Sequence, residues 1–202
     1  MTHVIATSDT RVPWSAVFGD DHPVELEIGP GRGHVLLAFA TAAPATNFFA
    51  IEHAARDAAA IAEKAAARGL GNVRVIAGDA RCVIARLVAD ASVAAYHVYF
   101  PDPWPKTRHR ARRLVHANFA AELVRTLVPG GPLHLASDLR RLVDGFTAVL
   151  AAAGLVVQPG ATAPAGRPTT SFERKYARAG TYYARFVRPK GTGAPAPETA
   201  DG

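Results

Sequence analysis

A chain of 202 residues, 49% of them hydrophobic, matches one globular domain able to bury most of the surface its unfolded form exposes. Its single cysteine, Cys82, excludes an intramolecular disulfide, and eight histidines without His-x-x-x-His or Cys-x-x-Cys spacing predict no metal site. The net charge of +6 is unevenly held: residues 1–100 carry 8 Lys+Arg against 10 Asp+Glu and residues 101–202 carry 15 against 7, so the second half suggests a polyanionic partner such as nucleic acid.

Residues 1–13 are polar and lack the apolar core of a signal peptide. The longest apolar stretch, 142–157, contains Asp144 and Gly154 and falls short of a membrane span. A cytoplasmic protein without a membrane anchor is the expectation.

The first strand is expected over 24–28, where Val-Glu-Leu-Glu-Ile alternates apolar and acidic residues. Gly29-Pro30-Gly31-Arg32-Gly33 then turns the chain into a short apolar helix over 34–40. A second strand follows at 48–51, an alanine-rich helix at 56–68 stopped by Gly69, and a third strand at 73–77. The fourth strand, 94–100, is ended by Pro101. Beyond the proline- and arginine-rich block 101–113, Asn118 is expected to cap a helix reaching about Leu127, where Pro129-Gly130-Gly131 breaks it. A fifth strand at 133–136, a helix at 139–153, a sixth strand at 155–157 and a seventh at 182–187 complete the pattern. Residues 1–190 therefore read as a single domain, and 191–202, with almost nothing to bury, as a disordered tail.

Strands alternating with helices imply an α/β fold: a largely parallel sheet with right-handed crossovers and helices on both faces. Ligands in such folds sit at the carboxyl ends of the strands, which directs attention to the residues just after each apolar run.

Gly29, Gly31 and Gly33 follow the first strand directly, and glycine there lets the backbone approach a ligand. The spacing is Gly-x-Gly-x-Gly, whereas a dinucleotide fingerprint has its third glycine one position later. Glu52 stands at the end of the second strand, where a carboxylate can accept hydrogen bonds from two ribose hydroxyls; an NAD enzyme would have this too. Asp79, after the third strand, is placed to accept from an adenine amine, and Glu27, on the first strand's end, to meet an ammonium group. Any one of these carboxylates is more often a solvated charge, but four strand ends aiming polar groups at one crevice make a stronger pattern. An amine, a ribose and an adenine together describe S-adenosylmethionine. It has no pyrophosphate, which agrees with Pro30 removing a backbone donor from the loop.

The fourth strand ends in Phe100-Pro101-Asp102-Pro103-Trp104-Pro105-Lys106, followed by Thr107-Arg108-His109-Arg110-Ala111-Arg112-Arg113. The prolines hold an acid stiffly beside a dense positive patch, as a phosphodiester substrate with a reactive base would require. At this point the sequence resembles the bacterial tRNA (guanine-N7-)-methyltransferases, class I S-adenosylmethionine-dependent enzymes, from about Val24 to Val187. The resemblance rests on Leu-Glu-Ile-Gly-x-Gly-x-Gly, Ile51-Glu52, Gly78-Asp79-Ala80, the Pro101 to Arg113 block, Ala136-Ser137-Asp138 and Arg167-Pro168-Thr169-Thr170-Ser171-Phe172-Glu173. Ala50 and Leu142 depart from the glycine and aromatic usual in the family.

The resemblance implies a Rossmann-like, seven-stranded sheet with an antiparallel last strand. It implies cofactor contacts from Glu27, Gly29, Gly31, Gly33, Glu52 and Asp79, and a shared cofactor and catalytic role for Asp102. On the substrate side it implies Lys106, Asp138, Thr170, Ser171, Phe172 and Glu173, and Arg108, Arg112 and Arg113 of the positive patch are expected, with Lys106, to bind the phosphates flanking the base. The expected reaction is methylation of N7 of a guanine in tRNA, in the variable loop, by a monomer or homodimer. The rivals are an NAD-dependent oxidoreductase on the same layout and a non-catalytic RNA-binding module.

Overall fold

The computed structural model describes residues 11–102, 116–170, 173–174 and 180–190. In chain order the elements are α1 (Trp14–Phe18), β1 (Val24–Ile28), α2 (His34–Ala42), β2 (Asn47–Glu52), α3 (Ala55–Ala67), β3 (Val73–Ala77), α4 (Ala80–Leu87), β4 (Ala95–Tyr99), α5 (Ala117–Thr126), β5 (Pro132–Ser137), α6 (Arg140–Ala152), β6 (Val156–Gln158) and β7 (Tyr182–Val187). They form one seven-stranded sheet in the order β3-β2-β1-β4-β5-β7-β6. The first five strands pair in parallel, and β7 runs antiparallel between β5 and β6. This is the expected mostly parallel sheet with an antiparallel last strand.

Each central strand has period-2 alternation, so it divides its side chains between two layers. Leu26, Phe49, Tyr96, Val98, Leu133, Leu135 and Phe186 share one face and pack with Ile84 of α4, Leu123 of α5 and Leu150 of α6. Phe48 and Ala50 on the opposite face meet Leu36 and Leu37 of α2 and Ile61 of α3. The helices therefore cover both faces.

Sequence reasoning missed two helices. The first, α1, is five residues long; it is fixed by the Trp14 indole N–H, which donates to the Ser92 carbonyl at 2.9 Å, and by the Trp14 ring against Phe49. The second, α4, fills the β3–β4 crossover and is capped by the Asp79 carboxylate, which accepts from the Arg81 backbone N–H at 2.9 Å. A third expectation is corrected. Asn118 does not cap α5: His116 occupies the N-cap position without a side-chain hydrogen bond, and Asn118 lies within the helix. The helix starts two residues earlier because Phe119, Ala120 and Leu123 must face the core together. The sixth strand is shifted by one residue to Val156–Gln158, leaving Leu155 to drop into the core. The predicted tail, 191–202, lies outside the described residues.

The β1–β4 pairing is the topological switch point, because the chain departs from β1 toward β2 and β3 and returns to β4 on the other side. The carboxyl ends of β1, β2, β3 and β4 meet there, and a crevice opens between the loops that leave them.

Candidate active site

A pocket of about 700 Å³ occupies that crevice. Its walls come from four strand ends: Ile28 and Gly29 at the end of β1, Ile51 and Glu52 at the end of β2, Gly78 and Asp79 just after β3, and Tyr99, Phe100 and Asp102 at and beyond the end of β4. The volume falls within the roughly 300–1,000 Å³ range of small-molecule sites.

The β1–α2 loop explains why three glycines stand in it. Gly33, at φ 76°, is the N-cap of α2, and a β-carbon there would lie 3.0 Å from Ile61 Cγ1, so the residue serves close packing of α2 on α3. At Gly29 and Gly31 a β-carbon would meet nothing within 4 Å. Their bare backbone therefore presents open space of the kind a ligand fills.

Glu52 organises this loop from the neighbouring strand. Its carboxylate accepts the Gly31 N–H at 3.0 Å through Oε2 and the Ala54 N–H at 3.0 Å through Oε1. A carboxylate has about four acceptor positions, so capacity remains for a vicinal pair of hydroxyls. Asp79 has two tasks: besides capping α4, it receives the Arg81 guanidinium, whose Nε lies 3.0 Å from Oδ1. The Arg81 hydrogen bonds hold the Asp79 carboxyl below its ordinary range. Asp79 is thus an ionised acceptor at the pocket wall.

Glu27 lies deeper, with 4% of its surface exposed. Burial pushes its carboxyl up to about 8, against the pull of the Arg167 charge. An acid held in this state is matched to a cationic group, which would restore the charge that burial opposes. A buried carboxylate, a vicinal-diol acceptor, an ionised acceptor at the far wall and an open glycine backbone fit the ammonium, ribose and adenine of S-adenosylmethionine.

At β4 the chain leaves the sheet through Phe100, a non-glycine residue at φ 52°, whose N–H donates to the Ala136 carbonyl at 2.8 Å. Strain of this kind is held in place by the surrounding structure and clusters at functional sites. Here it delivers Asp102, exposed, to the pocket rim. Asp138, partly buried at the end of β5, has the Ser137 hydroxyl 3.4 Å from its Oδ1. Thr170 and Glu173 are described as well, and form a reciprocal cap with each other. Lys106, Arg108, Arg112, Arg113, Ser171 and Phe172 lie outside the described residues. The structure therefore brings Gly29, Glu52, Asp79 and Asp102 into one pocket lining, with Glu27 buried on β1 and coupled electrostatically to Glu52, while the basic block falls where nothing is described.

Three residues that sequence reasoning passed over belong to this region. His53 and Arg81 contribute to the pocket wall; each sits one or two residues past a named acid, which was the available signal. Tyr99 is the third. Its hydroxyl is 2.8 Å from His97 Nδ1, and His97 Nε2 is 2.7 Å from Glu25 Oε2. Burial and the nearby Glu27 charge push the Tyr99 phenol up, so it stays a neutral donor. In an apolar run such as Ala-Tyr-His-Val-Tyr, only the tertiary pairing reveals the chain of polar contacts.

Residues 21–185 match the protein family described as "Putative methyltransferase". The chain is 40% identical over 189 residues to the tRNA (guanine-N(7)-)-methyltransferase of Pseudomonas fluorescens, covering 88% of this chain and 76% of that protein. It is 34% identical over 174 residues to the protein of the same name from Nitrosomonas eutropha, covering 85% and 78%. Among solved structures, a variant of the 16S rRNA (adenine(1408)-N(1))-methyltransferase from Catenulisporales acidiphilia, determined with the cosubstrate, superposes with a TM-score of 0.60 at 19% identity. That alignment covers 91% of this chain and 92% of the other. A S-adenosylmethionine-dependent methyltransferase from Aquifex aeolicus gives 0.56 at 18% identity, with 85% of each chain covered. These likenesses carry the fold, and the relatives carry the family. The switch-point pocket, its strand-end acids and this similarity across most of the chain lead to one conclusion: the protein belongs to the tRNA (guanine-N(7)-)-methyltransferase family.

Proposed function

We propose that the protein transfers a methyl group from S-adenosylmethionine to N7 of a guanine in tRNA, with a variable-loop guanine as the target. The observation that carries this reading is the convergence of Glu52, Asp79 and Asp102 from three different strand ends on one pocket at the β1–β4 switch point, with Glu27 buried on β1 and acting electrostatically on Glu52. Similarity to tRNA (guanine-N(7)-)-methyltransferases supplies the acceptor.

When bound, the cofactor supplies a methyl group on a sulfonium. The protein's tasks are to bind, orient and compensate charge. Glu27 would meet the ammonium, Glu52 the ribose hydroxyls and Asp79 the adenine amine, with the Gly29 to Gly33 backbone closing over them.

Guanine N7 has an in-plane lone pair and no proton to lose, so this acceptor needs no general base. Positioning and electrostatics account for the acceleration. Asp102 would accept hydrogen bonds from the Watson–Crick edge of the guanine and oppose the positive charge that grows on the ring. A hydrogen bond to a charged group contributes about 1.5–3 kcal/mol, or roughly one to two orders of magnitude in rate. Lys106, Arg108, Arg112 and Arg113 would bind the flanking phosphates, and Asp138 and Thr170 would border the base.

The test compares the unchanged protein with Asp102→Asn in single-turnover methyl transfer to tRNA at saturating concentrations of both substrates. The expected result is transfer to tRNA by the first and a rate reduced about 10–100-fold in the second, with tRNA affinity little changed. Full-rate transfer by Asp102→Asn would remove Asp102 from the reaction.

A further inference from the structure

Arg167 lies in the loop between β6 and β7, an arginine in a sequence of Pro, Gly, Ala and Thr, yet its side chain is only 1% exposed. Its Nη1 and Nη2 donate to Glu173 Oε1 and Oε2 at 2.9 and 3.1 Å, a bidentate pair whose carboxylate side is 7% exposed. The guanidinium carbon stands 4.4 Å from the centre of the Tyr99 ring and 5.8 Å from that of Phe100, two residues of the pocket wall. Its charge also acts on the buried Glu27. The Arg167 Nε is buried and has no hydrogen-bond partner.

Glu173 is fully engaged as well. Its carboxylate accepts from both Arg167 nitrogens, from the Thr170 N–H at 2.8 Å and from the Tyr183 hydroxyl at 3.3 Å. Four donors match the roughly four acceptor positions of a carboxylate. In return the Glu173 N–H donates to the Thr170 hydroxyl at 3.1 Å, which completes a capping box. No acceptor position of Glu173 is left for a substrate hydrogen bond.

A buried ion pair is weak evidence of stabilisation, because desolvating both charges offsets their attraction and apolar residues of similar volume often serve as well. A bidentate Arg–carboxylate pair does fix orientation, since the planar fork allows one approach. We propose that Arg167 and Glu173 are positioning residues of the methyl-transfer site: the pair clamps the Thr170 turn against the carboxyl end of β4 and so ties the substrate-facing segment to the cofactor pocket. This rests on the functional reading above. Of the two described residues of that turn, it makes Thr170, not Glu173, the one available to the acceptor nucleotide.

The test uses Arg167→Lys, which keeps the charge near Glu27 and loses the fork, and the apolar pair Arg167→Met with Glu173→Leu, which removes both charges together. Arg167→Lys is expected to lower the single-turnover rate at saturating tRNA and cofactor about 10-fold, with the cofactor Kd within about 3-fold of the parent and faster exchange of the Thr170 amide. The apolar pair is expected to keep the parent's melting temperature within a few degrees and still show the lower rate. An apolar pair that folds and reacts at the parent rate overturns the proposal. If that pair does not fold, Arg167→Lys decides: a lower rate with intact cofactor affinity supports the clamp, and an unchanged rate overturns it. Parent protein that methylates no tRNA would defeat the functional reading instead. The clamp would then be judged by Thr170 amide exchange, where unaltered protection in Arg167→Lys overturns it.

Discussion

On one face of the sheet, Leu26, Tyr96, Val98, Leu133, Leu135 and Phe186 lie side by side beneath α4, α5 and α6. On the other face, the same strands present Glu25, Glu27, His97, Tyr99, His134, Tyr183 and Arg185. The two sets alternate along each strand, so a single register assigns every residue to one layer or the other. Among these six residues Tyr96 is the one with a titratable group, and its hydroxyl is 2.6 Å from that of Thr126. The polar layer is a continuous run of ionisable and aromatic groups: His97 stacks on His134 at 5.3 Å, contacts Tyr99 and Glu25, and leads to Tyr99 beneath Arg167. The contrast teaches that stability and chemistry are separated by the pleat of the sheet, and that they should respond differently to substitution.

The largest effect is expected in the apolar layer. Phe186 is fully buried near the end of β7, and Phe186→Ala should cost about 3–5 kcal/mol through lost transfer energy and the cavity left behind. Denaturant unfolding measures this, and cofactor affinity of the folded fraction should be near that of the parent. A large affinity loss without a stability loss would break the division between the faces.

Next comes Glu52. Removing its carboxylate frees the Gly31 and Ala54 amides and the proposed ribose contacts together. Glu52→Ala should weaken cofactor binding by about 10–100-fold, taking about 1.5–3 kcal/mol for a hydrogen bond to a charged group. Calorimetry of a variant with normal melting behaviour checks it, and unchanged affinity would take Glu52 out of the site.

The Glu27 carboxyl gives a pH signature of intermediate size. Its value is raised from 4.5 to about 8 by burial, so the native state holds a proton that the unfolded chain releases. Stability from this group is complete below about pH 4.5 and is lost as pH rises to about 8. Binding of a cationic group at Glu27 should expel that proton. Calorimetry in buffers of different ionisation enthalpy should show release of about one proton per cofactor near pH 6.5 and almost none above about pH 9. Glu27→Gln should abolish the release and raise stability above pH 8. Cofactor binding with no proton release near pH 6.5 would place the ammonium elsewhere.

The smallest effect concerns His134. Burial, followed by the neighbouring His97 and Arg185 charges, lowers it from 6.5 to about 4. A depressed value means stability present above about pH 6.5 and lost as pH falls toward 4. His134→Gln should therefore flatten the acid side of the stability curve in that window without altering it at pH 8. An unchanged acid limb would show that His134 does not contribute to it.

The apolar layer was largely legible in the sequence, because strands 24–28 and 73–77 announce themselves by apolar positions two apart and by the glycine that follows each, and 48–51 by an unbroken apolar run. The pocket acids were legible for the same reason: each stands at the end of such a run. The helix α4 was not, since its eight residues, Ala-Arg-Cys-Val-Ile-Ala-Arg-Leu, are short, and Asp79 was read as a ligand when it is also the cap. In the sequence Arg167 stands out only as the first residue of the Arg167 to Glu173 motif. Only the fold reveals that it is buried under Tyr99, because the ion pair to Glu173 depends on the approach of β4 and β7 to a loop that has no periodicity of its own.

The central claim is that this strand-end pocket delivers a methyl group to guanine N7 in tRNA. Unmodified tRNA incubated with the protein and S-adenosylmethionine bearing a trideuterated methyl, then digested to nucleosides and analysed by mass spectrometry, tests it directly. The account predicts the label in 7-methylguanosine, and loss of that signal with Glu52→Ala at low cofactor concentration. Label found only in another nucleoside, or absent from tRNA altogether, would contradict it.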